Sequence, residues 1–319
     1  MATMRVLVTG GSGFIGSWTV EALVGAGHEV LVYDSFVTGR PDYLRGVAGA
    51  VRVVRGDVRS PLALQRAARR FGPHAIIHLA ACVSVPLSLR RALRSHDDNV
   101  RGTLAVLEAA RANDVRRVVL ASSAAVYGHN GDVPLCEDAP LAPLSPYALH
   151  KRMGEDYARL YADLYGLETV ALRYFNVFGP RQDPASPYSG VIARFCEAAR
   201  LGRAISITGD GTQTRDFVYV ADVARANIAA LTADLQGRHT INVGTGSQTS
   251  LLELRAAIAE VAGRPLPYAL QPARPGDVIR SCADVARLRD LLGLTCSTSL
   301  RDGLTALLTV ERAEERAAS

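Results

Sequence analysis

The stretch MRVLVTGGSGFIGS, Met4 to Ser17, runs from a β-branched apolar segment through a glycine-rich turn into a helical pattern. Three of its glycines fall where a tight turn, a close approach of backbone to a pyrophosphate, and helix–strand packing each exclude a side chain. The N-terminus of the following helix would present unpaired N–H groups and partial positive charge to the phosphates. We therefore predict a dinucleotide-binding turn, although these glycines would also suit a turn without a ligand. The predicted cofactor contacts here are Gly10, Gly13, Phe14, Ile15 and Gly16.

An acidic residue, Asp34, ends the next predicted strand. A carboxylate there accepts hydrogen bonds from both ribose hydroxyls and repels a 2′-phosphate, which favours NAD over NADP. Arg40 lies close enough in sequence to keep NADP as the alternative. Later strand ends that would meet at the same edge supply further predicted cofactor contacts, which are Asp57, Val58, Leu79, Ala80 and Ala81.

The N-terminal half alternates short β-branched runs with longer helical patterns, which predicts an α/β fold with a doubly wound, Rossmann-type parallel sheet. The predicted strands are Met4 to Thr9, Glu29 to Tyr33, Val51 to Arg55, Ala75 to Leu79, Val118 to Ser122 and Thr169 to Arg173. The predicted helices are Phe14 to Gly25, Pro61 to Phe71, Leu87 to Asn113 and Pro146 to Tyr165. We place the cofactor domain at residues 1–176 and a smaller α/β substrate lobe at 177–319, with the chain returning to the first domain around 217–244.

Composition narrows the classes of partner and location. The chain has 319 residues, of which 48% are hydrophobic and 21% charged, without a membrane-length apolar run or a signal peptide pattern, so we expect a cytoplasmic protein. Its five cysteines are odd in number and widely spaced, which argues against a disulfide framework or a zinc site, and we expect no metal. The net charge of +5 comes from scattered arginines rather than a basic block, so no nucleic-acid partner is expected.

The segment SPYALHK contains Lys151, the only lysine in the chain. Ser145 suits a helix N-cap and Pro146 the first turn, which places Tyr147 and Lys151 on one helical face. A phenol is a poor base at neutral pH unless a nearby cation lowers its pKa, and a lysine ammonium can do this while also reaching a ribose hydroxyl. The alternative is that Tyr147 packs in an interface and that the lysine has survived by chance.

Two serines, Ser122 and Ser123, end the fifth predicted strand, where a hydroxyl can meet Tyr147 over a nicotinamide ring. Serines in this place could also simply cap a loop.

Several segments in order resemble the extended short-chain dehydrogenase/reductase family, and within it the NAD-dependent nucleotide-sugar epimerases of the UDP-glucose 4-epimerase group. They are VLVTGGSGFIGS, HLAACVSVP, DNVRGTLAVLEAAR, SSAAVYG, SPYALHK, LRYFNVFGPRQDP, GDGTQTRDFVYVADVARA, NVGTG and ARPGD. The resemblance covers nearly the whole chain, to about Asp284.

This resemblance implies a catalytic set of Ser123, Tyr147 and Lys151, and NAD as cofactor. It implies additional cofactor contacts from Asn99, Ser122, Tyr147, Lys151, Tyr174 and Val177. It implies that a UDP-sugar or dTDP-sugar is held by Ser123, Tyr147, Asn176, Val191, Arg215, Arg274 and Asp277. For Arg215 the alternative is a surface ion pair with Asp210 or Asp216.

Departures from neighbouring subfamilies narrow the expected reaction. Related dehydratases carry an acidic pair where this chain has Ala124 and Ala125, so no acid is available there for elimination. Relatives that epimerise UDP-glucuronate tend to carry Thr and Arg in place of Asn176 and Asp183, which argues for a neutral hexose. Ser281 falls near the position that limits the sugar's C2 substituent and would leave room for an N-acetyl group. The sequence leaves the hexose and the base open.

The expected activity is therefore inversion at C4 of a nucleotide hexose through a transient 4-keto sugar. The rivals are another nucleotide-sugar oxidoreductase of the same fold and a non-catalytic NAD-binding protein. The resemblance also implies a homodimer through the helices Leu93 to Asn113 and Pro146 to Tyr165. Small residues such as Ala105, Ala109 and Ala148 would allow that packing, but internal packing would explain them equally well.

Overall fold

A computed structural model describes residues 3–129, 133–183, 190–273 and 278–318 of the chain. Seven parallel strands form the central sheet, in the order β11-β6-β5-β4-β1-β2-β3. Strand order reverses between β1 and β4, which is the switch point where doubly wound sheets bind ligands. The strands are β1 (Arg5–Thr9), β2 (Glu29–Asp34), β3 (Val51–Arg55), β4 (Ala75–His78), β5 (Arg117–Ser123), β6 (Glu168–Tyr174) and β11 (Arg238–Val243).

Helices cover both faces of this sheet. Successive β1 residues point to opposite faces, so each face has apolar side chains to bury. Val6 and Val8 pack with one hydrophobic core, whereas Leu7 between them packs with another. The two layers predicted from the βαβ alternation are thus present. The helices that flank the sheet are α1 (Phe14–Gly25), α2 (Pro61–Phe71), α3 (Val85–Arg90), α4 (Ala92–His96), α5 (Gly102–Arg111), α6 (Pro146–Tyr165), α8 (Val220–Thr232) and α10 (Ala286–Leu292).

The predicted single helix from Leu87 to Asn113 is wrong in detail. Helix α3 ends before Arg91, whose backbone angles of φ −138° and ψ 60° are not helical. After α4, the residues Asp97–Arg101 form one π-helical turn before α5 begins. Helical periodicity could not reveal this widened turn, and such turns often mark functional positions.

The smaller lobe has a separate apolar core whose buried residues run from Phe178 onward. Three two-stranded sheets pair β7 with β10, β8 with β13 and β9 with β12. Its strands are β7 (Asn176–Phe178), β8 (Ile205–Thr208), β9 (Thr214–Arg215), β10 (Phe217–Tyr219), β12 (Thr249–Ser250) and β13 (Tyr268–Gln271), and its helices are α7 (Val191–Leu201), α9 (Leu251–Ala262) and α11 (Leu300–Ala318). The boundary after Asn176 stays a prediction.

At β7 the chain leaves the central sheet and its flanking helices, and it returns to them with α8 and β11. Helix α8 packs with α1, and β11 pairs with β6 from Arg238↔Thr169 to Val243↔Tyr174. Among the described residues, no helix combines the length and apolarity that a membrane crossing requires.

Candidate active site at the carboxyl edge of the sheet

The glycine turn after β1 lies against the end of β4. Gly10 has φ +72°, and a Cβ placed on it would lie 2.6 Å from the backbone nitrogen of Ala80. A Cβ on Gly16 would lie 2.0 Å from the carbonyl oxygen of Gly10, so the start of α1 packs directly on the turn. The predicted cofactor contacts Phe14 and Ile15 lie in the first turn of α1. Ile15 is partly buried between the core on one face of the sheet and the core of the smaller lobe. These contacts require glycine and place the N-terminus of α1 at the switch point.

Asp34 at the end of β2 is tied to this turn. Its carboxylate accepts hydrogen bonds from the backbone nitrogens of Ser12 at 2.9 Å and Phe36 at 2.8 Å. The side chain of Arg40, in contrast, bonds to Tyr43, and this bond raises the pKa of its guanidinium. The geometry therefore places a negative charge at the ribose end of the turn and directs the nearest candidate cation elsewhere.

The other predicted cofactor residues line the same edge, but several have protein partners. The Asp57 carboxylate pairs with Arg59, whose hydrogen bond lowers the pKa of Asp57. Asn99 lies in the π-helical turn and makes two bonds to Cys82, accepting from its nitrogen at 2.7 Å and donating to its oxygen at 2.9 Å. Asn99 thus holds the segment that follows Leu79, Ala80 and Ala81. Val58 packs beneath this turn, against Gly102.

A buried histidine that the sequence argument did not single out completes this edge. His78 Nδ1 lies 2.6 Å from Thr9 Oγ1, and His78 Nε2 lies 3.1 Å from Thr103 Oγ1. Because Thr103 donates its hydroxyl proton to the Asn99 carbonyl at 2.6 Å, Nε2 must carry the histidine proton and Nδ1 must accept from Thr9. Burial lowers the pKa of His78 to about 3, which keeps the ring neutral. The sequence contained one sign of this residue: His78 is the single polar side chain at the end of an otherwise apolar strand.

Helix α6 begins as its sequence predicts. The Ser145 hydroxyl accepts a hydrogen bond from the Ala148 nitrogen at 3.2 Å, and Pro146 occupies the first helical position. This start presents Tyr147 and Lys151 to the end of β5, with Lys151 Nζ 5.9 Å from the centre of the Tyr147 ring. The sequence prediction that the two side chains share one face agrees with this geometry.

Tyr147 and Ser123 meet through a hydrogen bond between their side chains. The Ser123 oxygen also accepts a bond from the Ala125 nitrogen at 3.2 Å, so this serine caps a short 3₁₀ turn as well. Burial raises the pKa of Tyr147, and the bond to Ser123 only partly opposes this effect. The expectation that Lys151 lowers the pKa of this phenol is therefore not met in the protein alone.

Lys151 instead donates from Nζ to the Ala121 carbonyl at 2.8 Å. Burial lowers the pKa of its ammonium to about 8, against an opposing effect of the nearby Glu155 carboxylate. This lysine thus titrates near physiological pH, where a modest change in its surroundings alters its charge.

Three of the other predicted substrate residues lie in β7, α7 and β9 of the smaller lobe. Asn176 Nδ2 donates to the Asp216 carbonyl at 3.3 Å, and Arg215 Nη1 donates to the Thr214 carbonyl at 2.8 Å. Val191 opens α7, and Val177 lies in β7. Arg274 and Asp277 lie outside the described residues.

The side chain of Tyr174 is buried in the hydrophobic core. Its hydroxyl donates to Asn227 Oδ1 at 2.6 Å, and burial raises its pKa. Any cofactor contact from Tyr174 would therefore use its backbone.

A buried carboxylate between β9 and β10, that of Asp216, was also missed. Asp216 accepts bonds from the nitrogens of Thr245 at 2.8 Å, Gly246 at 2.9 Å and Ala283 at 3.1 Å. It thereby joins the end of β9 to the loop after β11. Its neighbour Arg215 drew attention in the sequence, but a carboxylate whose partners are distant backbone nitrogens leaves no local pattern.

Together these residues form an edge at which a hydride carrier and an alcohol could react. The phenol of Tyr147, the hydroxyl of Ser123 and the ammonium of Lys151 converge beside a glycine turn and a helix N-terminus. Such a set suits proton transfer to and from an alcohol oxygen.

Comparison with known proteins gives the site a context. Residues 6–244 match the model of the NAD-dependent epimerase/dehydratase family. A UDP-glucose 4-epimerase of Mycolicibacterium smegmatis is 40% identical over 309 residues, covering 94% of this chain and 96% of that protein.

Two solved structures extend the likeness to the fold. A Thermus thermophilus UDP-glucose 4-epimerase in complex with NAD has a TM-score of 0.89 and 38% identity, covering 97% of this chain and 99% of that one. A Methanobrevibacter ruminantium UDP-N-acetylglucosamine 4-epimerase in complex with UDP-N-acetylmuramic acid has a TM-score of 0.93 and 35% identity, covering 98% and 100%.

Proposed function

The chain belongs to the NAD-dependent epimerase/dehydratase family, and from this premise we propose that it is an NAD-dependent nucleotide-sugar 4-epimerase. The observation that carries the proposal is the convergence of Ser123, Tyr147 and Lys151 at the carboxyl edge of β5. A purely structural NAD-binding protein would have no need of a buried phenol and a buried ammonium at this edge.

The described residues fit the dinucleotide. The turn at Gly10 and Gly16 has no room for a Cβ, the start of α1 faces the edge, and Asp34 stands at the end of β2. We assign the pyrophosphate to the glycine turn and a ribose to Asp34. When bound, NAD supplies the hydride acceptor and donor for C4 of the sugar.

The chain's own residues handle the proton. Tyr147 takes the proton of the C4 hydroxyl and later returns it, and Ser123 donates a hydrogen bond to the same oxygen. Lys151 stabilises negative charge on the Tyr147 oxygen, which offsets the effect of burial on that pKa once the ammonium turns toward the phenol and a ribose hydroxyl. When the hydride returns to the opposite face of the 4-keto sugar, the configuration at C4 is inverted.

For the substrate we propose a UDP-hexose with a neutral sugar. Asn176 and Asp183 offer no cation to a sugar carboxylate, and Ala124 and Ala125 offer no acid for elimination. Ser281 is a small buried side chain, which is compatible with glucose and galactose and with their N-acetylated forms. We assign the nucleotide diphosphate to Asn176, Arg215 and the segment that contains Arg274 and Asp277, with Val191 beside it.

The test is to incubate the purified protein with UDP- and dTDP-hexoses without added cofactor and to resolve the C4 epimers by NMR. We expect interconversion of the UDP-hexose epimers without net redox change, at a rate that is lower by orders of magnitude in the Tyr147→Phe variant. In a parallel incubation with added cofactor, net consumption of NAD or NADH would identify a reductase or oxidase instead. Unchanged sugars with the wild-type protein would contradict the proposal.

We also propose that the protein is a cytoplasmic homodimer that pairs through the helices around residues 85–111 and α6. Support comes from apolar side chains left exposed on these helices, with Leu93 85% and Leu164 62% exposed. The others are Val85, Leu89, Leu149, Leu160 and Tyr165. All five cysteines are free thiols, as in a reducing compartment. Sedimentation should give a dimer that Leu164→Glu converts to a folded monomer; a monomeric wild type would refute the pairing.

A further inference from the structure

Glu155 lies on α6 one turn beyond Lys151 and is buried together with Arg173. Their side chains are 9% and 5% exposed, and the guanidinium donates from Nε to Glu155 Oε1 at 2.9 Å and from Nη2 to Oε2 at 2.7 Å. Ser122 donates its hydroxyl to the same Oε1 atom. This carboxylate is therefore fixed by three charge-assisted or hydroxyl bonds.

One face of α6 contacts three consecutive residues of β5. Tyr147 bonds to Ser123, Lys151 bonds to the carbonyl of Ala121, and Glu155 bonds to the serine between them. Residues at i, i+4 and i+8 lie along one stripe of a helix, so these contacts set how far α6 lies along the strand. Loss of one contact would allow the other two to shift.

Arg173 anchors the carboxylate from the neighbouring strand. It pairs in register with Ser122 in the sheet, and its Nη1 donates to the Tyr127 hydroxyl at 3.0 Å and to the Glu137 carbonyl at 2.9 Å. Its guanidinium also lies 4.8 Å from the centre of the Tyr127 ring. Tyr127 and Glu137 thus hold the Arg173 guanidinium independently of Glu155.

The groups that act on the Lys151 ammonium come from three directions. Glu155 and Tyr147 lie on its own helix, neutral His78 lies on β4, and Cys82 lies in the segment after β4. On β5 the ammonium meets the Ala121 carbonyl. Glu155 supplies the carboxylate in this set, and its effect opposes the desolvation that lowers the lysine pKa to about 8.

We propose that Glu155 is a positioning residue that keeps Lys151 protonated and aligned with Tyr147. The consequence for turnover rests on the proposed function, whereas the effect on the lysine does not. Removing the carboxylate charge would take away the negative charge that opposes the desolvation of Lys151, and the ammonium would lose its proton at lower pH.

The sequence makes this directly measurable because Lys151 is the only lysine. Protein grown on lysine labelled with carbon-13 at Cε gives a single side-chain lysine signal, whose shift against pH reports the pKa of Lys151 without assignment. We expect Glu155→Gln, which preserves shape and acceptor oxygen, to lower this pKa by about 1 unit, the lower end of the effect of a nearby charge. The titration is run with and without NAD and needs no substrate.

The matched control is Glu168→Gln. Glu168 pairs with buried Arg117 at 2.8 Å at the opposite end of the same two strands, where Arg117 and Glu168 are also in register. We expect the Glu168→Gln protein to lose stability. The pKa of Lys151 should stay within about 0.2 unit of wild type, because Glu168 lies several strand residues away from the Lys151 ammonium.

Arg173→Gln provides the second test, with the opposite sign. Removing the cation frees the Glu155 charge to act on the ammonium, so the lysine pKa should rise. In turnover assays Glu155→Gln should move the alkaline limb of the pH profile down by the same amount as the NMR titration, with little change in KM. A folded Glu155→Gln protein with an unchanged lysine pKa, or an Arg173→Gln protein whose lysine pKa falls, would overturn the proposal.

Discussion

Replacement of Gly10 by alanine tests the central packing of the site. At φ +72° an L-residue costs ~1–2 kcal/mol relative to a right-handed conformation. The new Cβ would also lie 2.6 Å from the Ala80 nitrogen and 2.9 Å from its Cα, so one of two neighbouring strand ends must move. Overpacking of this kind costs ~1–3 kcal/mol. We therefore expect Gly10→Ala to lower the free energy of unfolding by about 2–5 kcal/mol.

Gly13→Ala is the matched comparison within the same turn. Gly13 has φ −78°, and its Cβ would meet only the Gly10 carbonyl oxygen at 3.3 Å. Without NAD we expect its unfolding free energy to stay within about 1 kcal/mol of wild type. The added methyl group would occupy the face assigned to the pyrophosphate, so NAD binding should weaken at least ~10-fold.

Urea unfolding with and without NAD separates the two effects. A ligand at 100 times its Kd stabilises a protein by ~2.7 kcal/mol, and this increment should be present in the wild type and largely lost in Gly13→Ala. If Gly10→Ala unfolds within 1 kcal/mol of wild type, or if Gly13→Ala retains the full NAD increment, the assignment of the turn is refuted.

Three further substitutions follow from the site and its support. Tyr147→Phe should reduce turnover by ~10²–10⁴-fold while NAD titration stays close to wild type; near-normal turnover would contradict the role of the phenol. Lys151→Met should abolish turnover and increase the free energy of unfolding, because the pKa of this lysine is lowered to about 8 from 10.5. That gain should be largest below pH 8 and shrink toward pH 10.5, where the folded wild type has already lost its proton; chemical denaturation across pH checks it. Arg117→Met should cost ~3–5 kcal/mol in the same assay, since it leaves Glu168 with only the exposed Arg116 as a partner and removes the donor to four carbonyls at the C-terminal end of α8 and just beyond it; a loss below about 1 kcal/mol would show that pair to be dispensable.

The predictable parts of this protein are those that depend on local chain properties. Strand periodicity, the glycine turn and the Ser145–Pro146 start of α6 each act over a few residues, and the structure places them as predicted. The face shared by Tyr147 and Lys151 follows from helical geometry alone.

What the sequence could not reveal depends on contacts between distant segments. The bond from Thr103 to Asn99 fixes the proton of His78, and the pairing of Arg173 with Glu155 requires two strands and a helix to meet. In the protein alone the pKa of Tyr147 is raised rather than lowered, because the sequence reveals the neighbouring cation but not the degree of burial, which dominates.

The late return of β11 to the edge of β6 bears on how the chain matures during synthesis. Until residues 220–232 have left the ribosome, α1 lacks its neighbour α8, and until residues 238–243 follow, the outer edge of β6 lacks its partner strand. An exposed parallel edge of this kind is prone to association with other nascent chains. The central sheet therefore cannot be completed until β11 has been synthesised. A translational pause before β11 would prolong the stage at which the free edge of β6 can aggregate.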